Sequence, residues 1–247
     1  GRLDKHNMVD NVIFSPRANL RFNPTQNINL RLSYSSGFRA PQAFDEDMHI
    51  ENVGGTVAMI ERAKDLKEEK SQSFSASADM YHRFGAFQTN LLIEGFYTRL
   101  TDVFVLGEPY DRGDGILVKT RSNGPGAKVM GLTLEGKVAY LSILQIQAGL
   151  TLQRSRYDEP HKWHDDAPAE KKIFRTPDTY GYFTATYTPI KPLSIALSGT
   201  YTGRMLVQRM DITAENAELG EMPERKAEAI RTPRFFDLGV KLAYDFK

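Results

Sequence analysis

Residues 28–35 read INLRLSYS and residues 74–80 read FSASADM, and these two segments decide the fold. In both, apolar and polar residues alternate, which is the period of a β-strand with one apolar face. The polar excursion between them begins Ser36-Gly37-Phe38-Arg39-Ala40-Pro41 and ends Leu66-Lys67-Glu68-Glu69-Lys70-Ser71. It is far longer than an ordinary hairpin loop. Because long loops on a rigid sheet usually carry function, we expect functional residues in this excursion.

The same alternation recurs on both sides of these segments, and short turns alternate with long polar loops between the strands. An interruption at Asn123-Gly124-Pro125-Gly126 predicts a bulge or kink. The sequence therefore predicts an all-β antiparallel meander of about nine strands. The remaining strands are predicted at residues 12–22, 87–105, 116–140, 144–153, 176–188, 193–205 and 236–246, and the other long loops at residues 107–115, 157–175 and 207–231.

Long strands joined alternately by short turns and long loops are typical of a transmembrane β-barrel. Aromatic residues near the ends of the apolar faces favour the same interpretation, because they suit a membrane–water boundary. A soluble antiparallel sandwich also alternates apolar and polar residues. The length of the strands and the Ser, Thr, Asn and Gln on their polar faces favour the barrel. The aromatic residues in question are Tyr34, Phe38, Tyr180, Tyr182, Tyr201, Tyr244 and Phe246.

Composition excludes several classes of function. The 247 residues include 32 Lys and Arg against 31 Asp and Glu, so the net charge of +1 gives no field that favours nucleic acid. The absence of Cys excludes disulfides, thiol catalysis and thiolate metal sites. No Ser-His-Asp spacing or nucleotide-binding glycine motif is present, so we expect neither enzyme activity nor a cofactor. Because the chain begins and ends within the strand pattern, we expect it to be a fragment.

Two short boxes carry a resemblance to a known family. Phe38-Arg39-Ala40-Pro41 resembles the FRAP box of TonB-dependent outer-membrane receptors. The stretch Ala63–Ser71 resembles that family's second box, since it keeps Leu66, Lys67, Glu69 and Ser71, but it lacks the Asn-Pro turn and is a degenerate match. The sequence in and around residues 42–50, 180–182, 201–205 and 235–239 is similar to that of Bacteroidetes-type receptors in particular.

The resemblance implies a barrel of twenty-two strands with a plugged lumen. Residues 1–247 would then be part of the barrel domain, without the plug, the first half of the barrel and the last strands. It also implies residence in the outer membrane of a Gram-negative cell, surrounded by lipid, and import of a scarce nutrient chelate such as a ferric siderophore, haem or a corrinoid. Energy would come from the TonB–ExbB–ExbD complex through the missing plug.

Two other functions stay open at this point. One is a passive porin, or another outer-membrane barrel without TonB coupling; the other is an outer-membrane enzyme barrel. In all cases about nine strands cannot close a large barrel, and open strand edges pair readily with other chains. We therefore expect the isolated fragment to self-associate.

The first candidate binding residues lie in the long excursion. Arg39 could pair with Glu69 or Asp45 and brace the loop, or face an anionic ligand; we favour the structural role. The structural box is assigned to Phe38, Arg39, Ala40, Pro41, Leu66, Glu69 and Ser71. His49 lies where haem-importing members carry an axial histidine, although a loop histidine without special duty is the simpler interpretation.

The loop at residues 157–166 holds the sharper cluster of candidate residues. His161, His164, Asp165 and Asp166 are residue types that bind Zn, Ni or Fe(III). Trp163, the only tryptophan in the chain, could stack on a flat ligand. Spacing within a flexible loop fixes no geometry, so a solvated loop is the simpler alternative.

Overall fold

The structure is a computed structural model that describes residues 1–7, 9, 11–41, 58–107, 110–113, 116–163, 167–212 and 225–246. Within these ranges, we find no helix of the length and apolar character that crossing a membrane requires. The strands of the described residues are β1 (Arg2–Asp4), β2 (Ile13–Ser15), β3 (Arg17–Thr25), β4 (Ile28–Arg39), β5 (Ala58–Arg62), β6 (Glu69–Phe84), β7 (Phe87–Thr101), β8 (Phe104–Leu106), β9 (Tyr110–Asp111), β10 (Leu117–Asn123), β11 (Ala127–Tyr140), β12 (Leu144–His161), β13 (Glu170–Lys172), β14 (Thr179–Ile190), β15 (Leu193–Thr202), β16 (Leu206–Ile212), β17 (Arg225–Arg231) and β18 (Phe235–Tyr244).

A single antiparallel sheet dominates the described chain. Its strand order is β3-β4-β6-β7-β11-β12-β14-β15-β18, with β13 paired to β12. This path follows the order of the strands in the sequence, so the sheet is a meander. This arrangement confirms the predicted all-β antiparallel meander, including its nine main strands.

The two ends of the meander differ, as predicted. At one end, which we call the turn end, short connections such as Gln26–Asn27, Gly85–Ala86 and Lys191–Pro192 join neighbouring strands. Gly85 has φ of +58°, a conformation that glycine adopts without steric cost. At the other end, which we call the loop end, the chain leaves the sheet after Arg39, Thr101, His161 and Thr202 and returns only after a long excursion.

The meander has an apolar face and a polar face. On β11, Leu132 and Leu134 lie on the apolar face and are 49% and 46% exposed, whereas Thr133 between them lies on the polar face and is half-buried. The register carries this division across the sheet, since Leu132 is opposite Leu152 and Thr133 is opposite Thr151. Large apolar side chains are therefore exposed on one side of the sheet instead of forming a central core.

The predicted position of the aromatic residues on the apolar face is correct in part. Tyr34, Phe38 and Tyr201 lie on the apolar face near the loop end, and Tyr244 lies on it near the turn end. Tyr180 and Tyr182 do not, because they lie opposite Thr151 and Gly149 on the polar face. Strand period alone could not place them, since Tyr and Phe occupy consecutive positions in β14.

The structure differs from the sequence prediction in several segments predicted as loops or a kink; among them, the predicted loop at residues 107–115 contains β9 and the long excursion contains β5. The predicted loop at residues 157–175 begins later, because β12 continues to His161 and pairs there with β13. The predicted loop at residues 207–231 contains the antiparallel pair β16–β17. The interruption at residues 123–126 is a break and not a bulge, because β10 leaves the meander and joins a separate small sheet with β5, β8 and β9.

Candidate functional site

The two boxes singled out in the sequence are direct neighbours at the loop end. The end of β4 pairs with the start of β6, which places Phe38 opposite Lys70 and Arg39 opposite Glu69. Gly37 faces Ser71 closely enough that a Cβ on Gly37 would lie 3.2 Å from the Ser71 hydroxyl. Pro41 of the first box is buried. Residues 30 positions apart in sequence thus close the base of the long excursion.

Glu69 joins three strands through one carboxylate. The Arg39 guanidinium lies 3.3 Å from Glu69 Oε2, and the backbone N–H of Phe104 in β8 donates to the same oxygen at 3.0 Å. Arg39 also lies over the Phe104 ring, 4.7 Å from its centroid. Of the two carboxylates considered for Arg39, the structure places Glu69 beside it, and Asp45 lies outside the described residues. We call Arg39, Glu69 and Phe104 the loop bracket.

Asn123 makes a second connection at the same end, which sequence reasoning missed. Its side-chain oxygen accepts from the Lys67 N–H at 2.8 Å, while its amide donates to the Lys67 and Asp102 carbonyls at 3.1 and 2.8 Å. It therefore ties the second box to the β7–β8 turn. The only signal in the sequence was the Asn-Gly-Pro-Gly composition, which indicates a break but not its partners.

A small sheet extends from the loop bracket. β10 pairs in parallel with β5 and antiparallel with β8 and β9. Val118 in β10 is completely buried, and Arg121 is only 3% exposed. Segments of two different excursions, the one after Arg39 and the one after Thr101, are thus folded together at the loop end. This arrangement creates a structured surface where the sequence suggested only separate polar loops.

The end of β12 supplies aromatic and imidazole groups to the same end of the meander. The rings of Tyr157 and His161 are 5.6 Å apart, and Trp163 meets Phe174 edge-on at 6.4 Å. Trp163 packs against protein here, so its predicted stacking on a ligand stays a prediction. His49, His164, Asp165 and Asp166 lie outside the described residues. Among the described residues, no group of three His, Cys, Asp or Glu side chains is placed to hold a metal ion.

Burial lowers the pKa of His161 below its ordinary value, since a half-buried imidazole is less well solvated when charged. His161 lies beyond Leu152, the last apolar-face leucine of β12. Because the folded-state pKa is lower than the unfolded one, neutral His161 contributes stability that is present above the unfolded pKa. That contribution is lost as pH falls through the folded pKa.

We expect this dependence to be visible locally. After correction for intrinsic exchange rates, amide hydrogen exchange at residues 157–161 should be constant between about pH 8 and 7 and should accelerate below about pH 6. The His161→Gln variant should show no such acceleration over the same range. Equal acceleration in the variant would assign the effect to other groups.

The polar face carries hydrogen-bonded side chains along its length. Gln147 donates to Glu135 at 2.9 Å, and the Tyr182 hydroxyl donates to the second oxygen of Glu135. Thr133 and Thr151 are joined by a 3.0 Å hydrogen bond between their hydroxyls. Such a face can contact water or a polar protein surface at low cost, because its donors and acceptors are already paired.

Comparison with known proteins gives the following findings. The family model described as "TonB dependent receptor-like, beta-barrel" matches residues 1–247. No curated protein sequence matches the chain. The siderophore receptor PirA from Acinetobacter baumannii is similar in structure, with 15% identity, a TM-score of 0.65, and coverage of 99% of this chain and 36% of PirA.

Two further structures show the same similarity. A mutant of the ferric enterobactin receptor PfeA from Pseudomonas aeruginosa has 16% identity and a TM-score of 0.63, covering 99% of this chain and 34% of the receptor. The copper transporter OprC has 12% identity and a TM-score of 0.60, covering 96% of this chain and 32% of its own. The chain thus spans about a third of each of these proteins.

Proposed function

We propose, from the premise that this chain belongs to the TonB-dependent receptor-like β-barrel family, that it forms part of an outer-membrane barrel that imports a nutrient metal chelate. The structures it resembles are transport receptors and not enzymes. The observation that carries the proposal is the meander with one exposed apolar face, one polar face and all long excursions at one end. We place the apolar face against lipid and the polar face around the lumen.

Physical chemistry supports this placement. An exposed stripe of Leu, Ile, Phe and Val along a whole sheet is costly in water, because each buried CH₂ is worth about 0.8 kcal/mol. Lipid removes that cost, provided that every backbone group is paired, as it is inside a closed sheet. The same stripe in water would make the sheet aggregate. The two open edges, β3 and β18, would be closed by the other strands of a twenty-two-stranded barrel.

We propose a ferric siderophore as the first substrate class to test. PirA and PfeA are siderophore receptors by description, whereas OprC is a copper transporter, so other metal cargoes are the natural comparison. The loop end, with Arg39 of the FRAP-type box, Trp163 and His161, would face the cell exterior. A plug and a TonB-binding segment elsewhere in the protein would couple import to the TonB–ExbB–ExbD complex.

Uptake measurements test this proposal. In a strain that lacks the complete gene, accumulation of a ⁵⁵Fe-labelled siderophore should fall to background for at least one siderophore in a panel. The complete protein should restore it, and deletion of TonB should abolish it again. Uptake that is independent of TonB would favour a passive barrel, and the absence of any transported iron, copper, haem or corrinoid cargo would contradict the proposal.

A further inference from the structure

Four cationic side chains lie together on the apolar face at its loop end. Arg99 and Lys128 are opposite each other on β7 and β11, Lys128 is opposite Arg156 on β12, and Arg154 is opposite Met130. All four lie toward the loop end of the apolar residues in their own strands. We call Arg99, Lys128, Arg154 and Arg156 the outer basic cluster.

The outer basic cluster is only partly neutralised. Asp158 receives two bonds from Arg99, at 2.9 and 2.7 Å, and lies 3.4 Å from Lys128. Arg154 and Arg156 are exposed, and among the described residues no carboxylate pairs with either. Of these four cations Asp158 contacts only Arg99 and Lys128, so the guanidinium groups of Arg154 and Arg156, which pair with no described carboxylate, are available to an external anion.

An apolar groove begins directly below this cluster on the same face. Its walls at the upper end are Tyr34, Phe74, Tyr97 and Met130, and its floor includes Gly95. The Tyr34 and Phe74 rings are 4.8 Å apart. The upper groove has a volume of about 960 Å³, and a lower one of about 590 Å³ shares Gly95 with it and continues toward Phe22 and Ile93. Together they extend down the apolar face from the cationic end.

The register fixes the distance between groove and cluster. Tyr97 on β7 is opposite Phe74 on β6 and Met130 on β11. Two residues closer to the loop end, the positions on the same face are Arg99 on β7, Gln72 on β6 and Lys128 on β11. Two residues along a strand correspond to about 7 Å. Arg154 is opposite Met130 and therefore level with the upper end of the groove, and Arg156 lies two residues farther along β12. An anionic group held by these two guanidinium groups would therefore lie beside the upper end of the groove, one strand away from Met130.

We propose that this surface is a binding site for a lipid that carries phosphate on its headgroup and several acyl chains. The phosphate would be held by Arg154 and Arg156, whose planar guanidinium groups suit two-point contact with phosphate oxygens. The acyl chains would lie in the groove over Gly95. Charge complementarity selects this occupant, because an apolar partner alone leaves the cations unused and a free anion leaves the groove empty. The inference rests on the proposed placement of the apolar face in lipid.

Native mass spectrometry of the complete purified protein in detergent tests the site, with diphosphorylated lipid A as the probe. The Arg154→Gln/Arg156→Gln variant should bind the probe about thirtyfold more weakly, because it removes two cations and each cation near an anionic headgroup contributes about 1 kcal/mol. The control Arg83→Gln/Lys191→Gln removes the same charge at the turn end and should bind like the wild type. Monophosphorylated lipid A should bind the wild type more weakly than the diphosphorylated form.

A glycine pair tests the groove separately. A Cβ at Gly95 or at Gly136 meets no atom within 4 Å, so a side chain can be introduced at either position without a clash at the Cβ. Gly95→Leu fills the groove floor and should weaken lipid binding several-fold, whereas Gly136→Leu, lower on the same face, should not. The proposal is overturned if neither Gly95→Leu nor the double arginine variant changes binding, if inorganic phosphate competes as well as the lipid, or if the groove is occupied by a second copy of the protein.

These outcomes are separable from the proposed function. Lipid binding is measured on purified protein without cargo or energy, and the outer basic cluster is not part of the loop bracket. A receptor that binds the probe but imports no chelate leaves the lipid site standing and removes the transport proposal. If the receptor imports its cargo but all variants bind the lipid probe as the wild type does, the lipid site is contradicted and the transport proposal stands.

Discussion

Replacing Leu134 by arginine should lower the free energy of unfolding of the complete protein in a bilayer by about 2–4 kcal/mol. Leu134 is exposed in the middle of the apolar face, between Ile93 on β7 and Leu150 on β12. In a barrel this position meets acyl chains near the bilayer centre, where a guanidinium group loses its hydration. Equilibrium unfolding by denaturant from phospholipid vesicles gives the measurement.

The matched control places the same charge on the other face. Thr184 lies on the polar face of β14, opposite Gln147 and Ser198, and is exposed. In a water-filled lumen, Thr184→Arg should change the free energy of unfolding by less than about 0.5 kcal/mol, as surface substitutions usually do. Equal costs at Leu134 and Thr184, or a larger cost at Thr184, would show that the faces have been assigned to the wrong environments.

Much of the meander was predictable because its determinants are local. The alternation in β4, β6, β11 and β12 marks both the strands and their apolar face, and short turn-forming segments mark the turn end. The pairing of β4 with β6 then follows, since strands that are consecutive along the meander pair as neighbours. This pairing places Arg39 beside Glu69, which is one of the two partners that the sequence had suggested for Arg39.

The loop end was not predictable in the same way, because its contacts are non-local. Nothing in the composition of residues 58–62 indicates that β5 pairs in parallel with β10, more than fifty residues later. The Asn123 contacts and the Phe104 N–H bond to Glu69 depend on that arrangement. The prediction for Tyr180 and Tyr182 was wrong for a different reason. It took their aromatic character as evidence for the apolar face, whereas the register with Thr151 and Gly149 places them on the polar face.

The loop bracket leads to the second large effect. Glu69→Ala should make local opening of β8 away from β6 more frequent. The substitution removes the carboxylate that pairs with Arg39 in the loop bracket, and the same carboxylate accepts the hydrogen bond from the Phe104 N–H. The Glu69 side chain is 16% exposed and that of Arg39 is 41% exposed, so part of the ion-pair energy is screened by solvent. A donor that loses its acceptor costs about 1–3 kcal/mol when buried. We expect a combined local cost of about 2 kcal/mol.

Hydrogen exchange of the complete protein should detect this opening at β8, residues 104–106. About 2 kcal/mol corresponds to roughly thirtyfold faster exchange where local opening controls the rate. Glu69→Gln keeps an acceptor for Phe104 and should have a smaller effect. Glu159→Ala removes an exposed carboxylate at the same end and should have none. If all three variants exchange alike, Glu69 does not hold β8, and the long excursions are fixed at the loop end by other contacts.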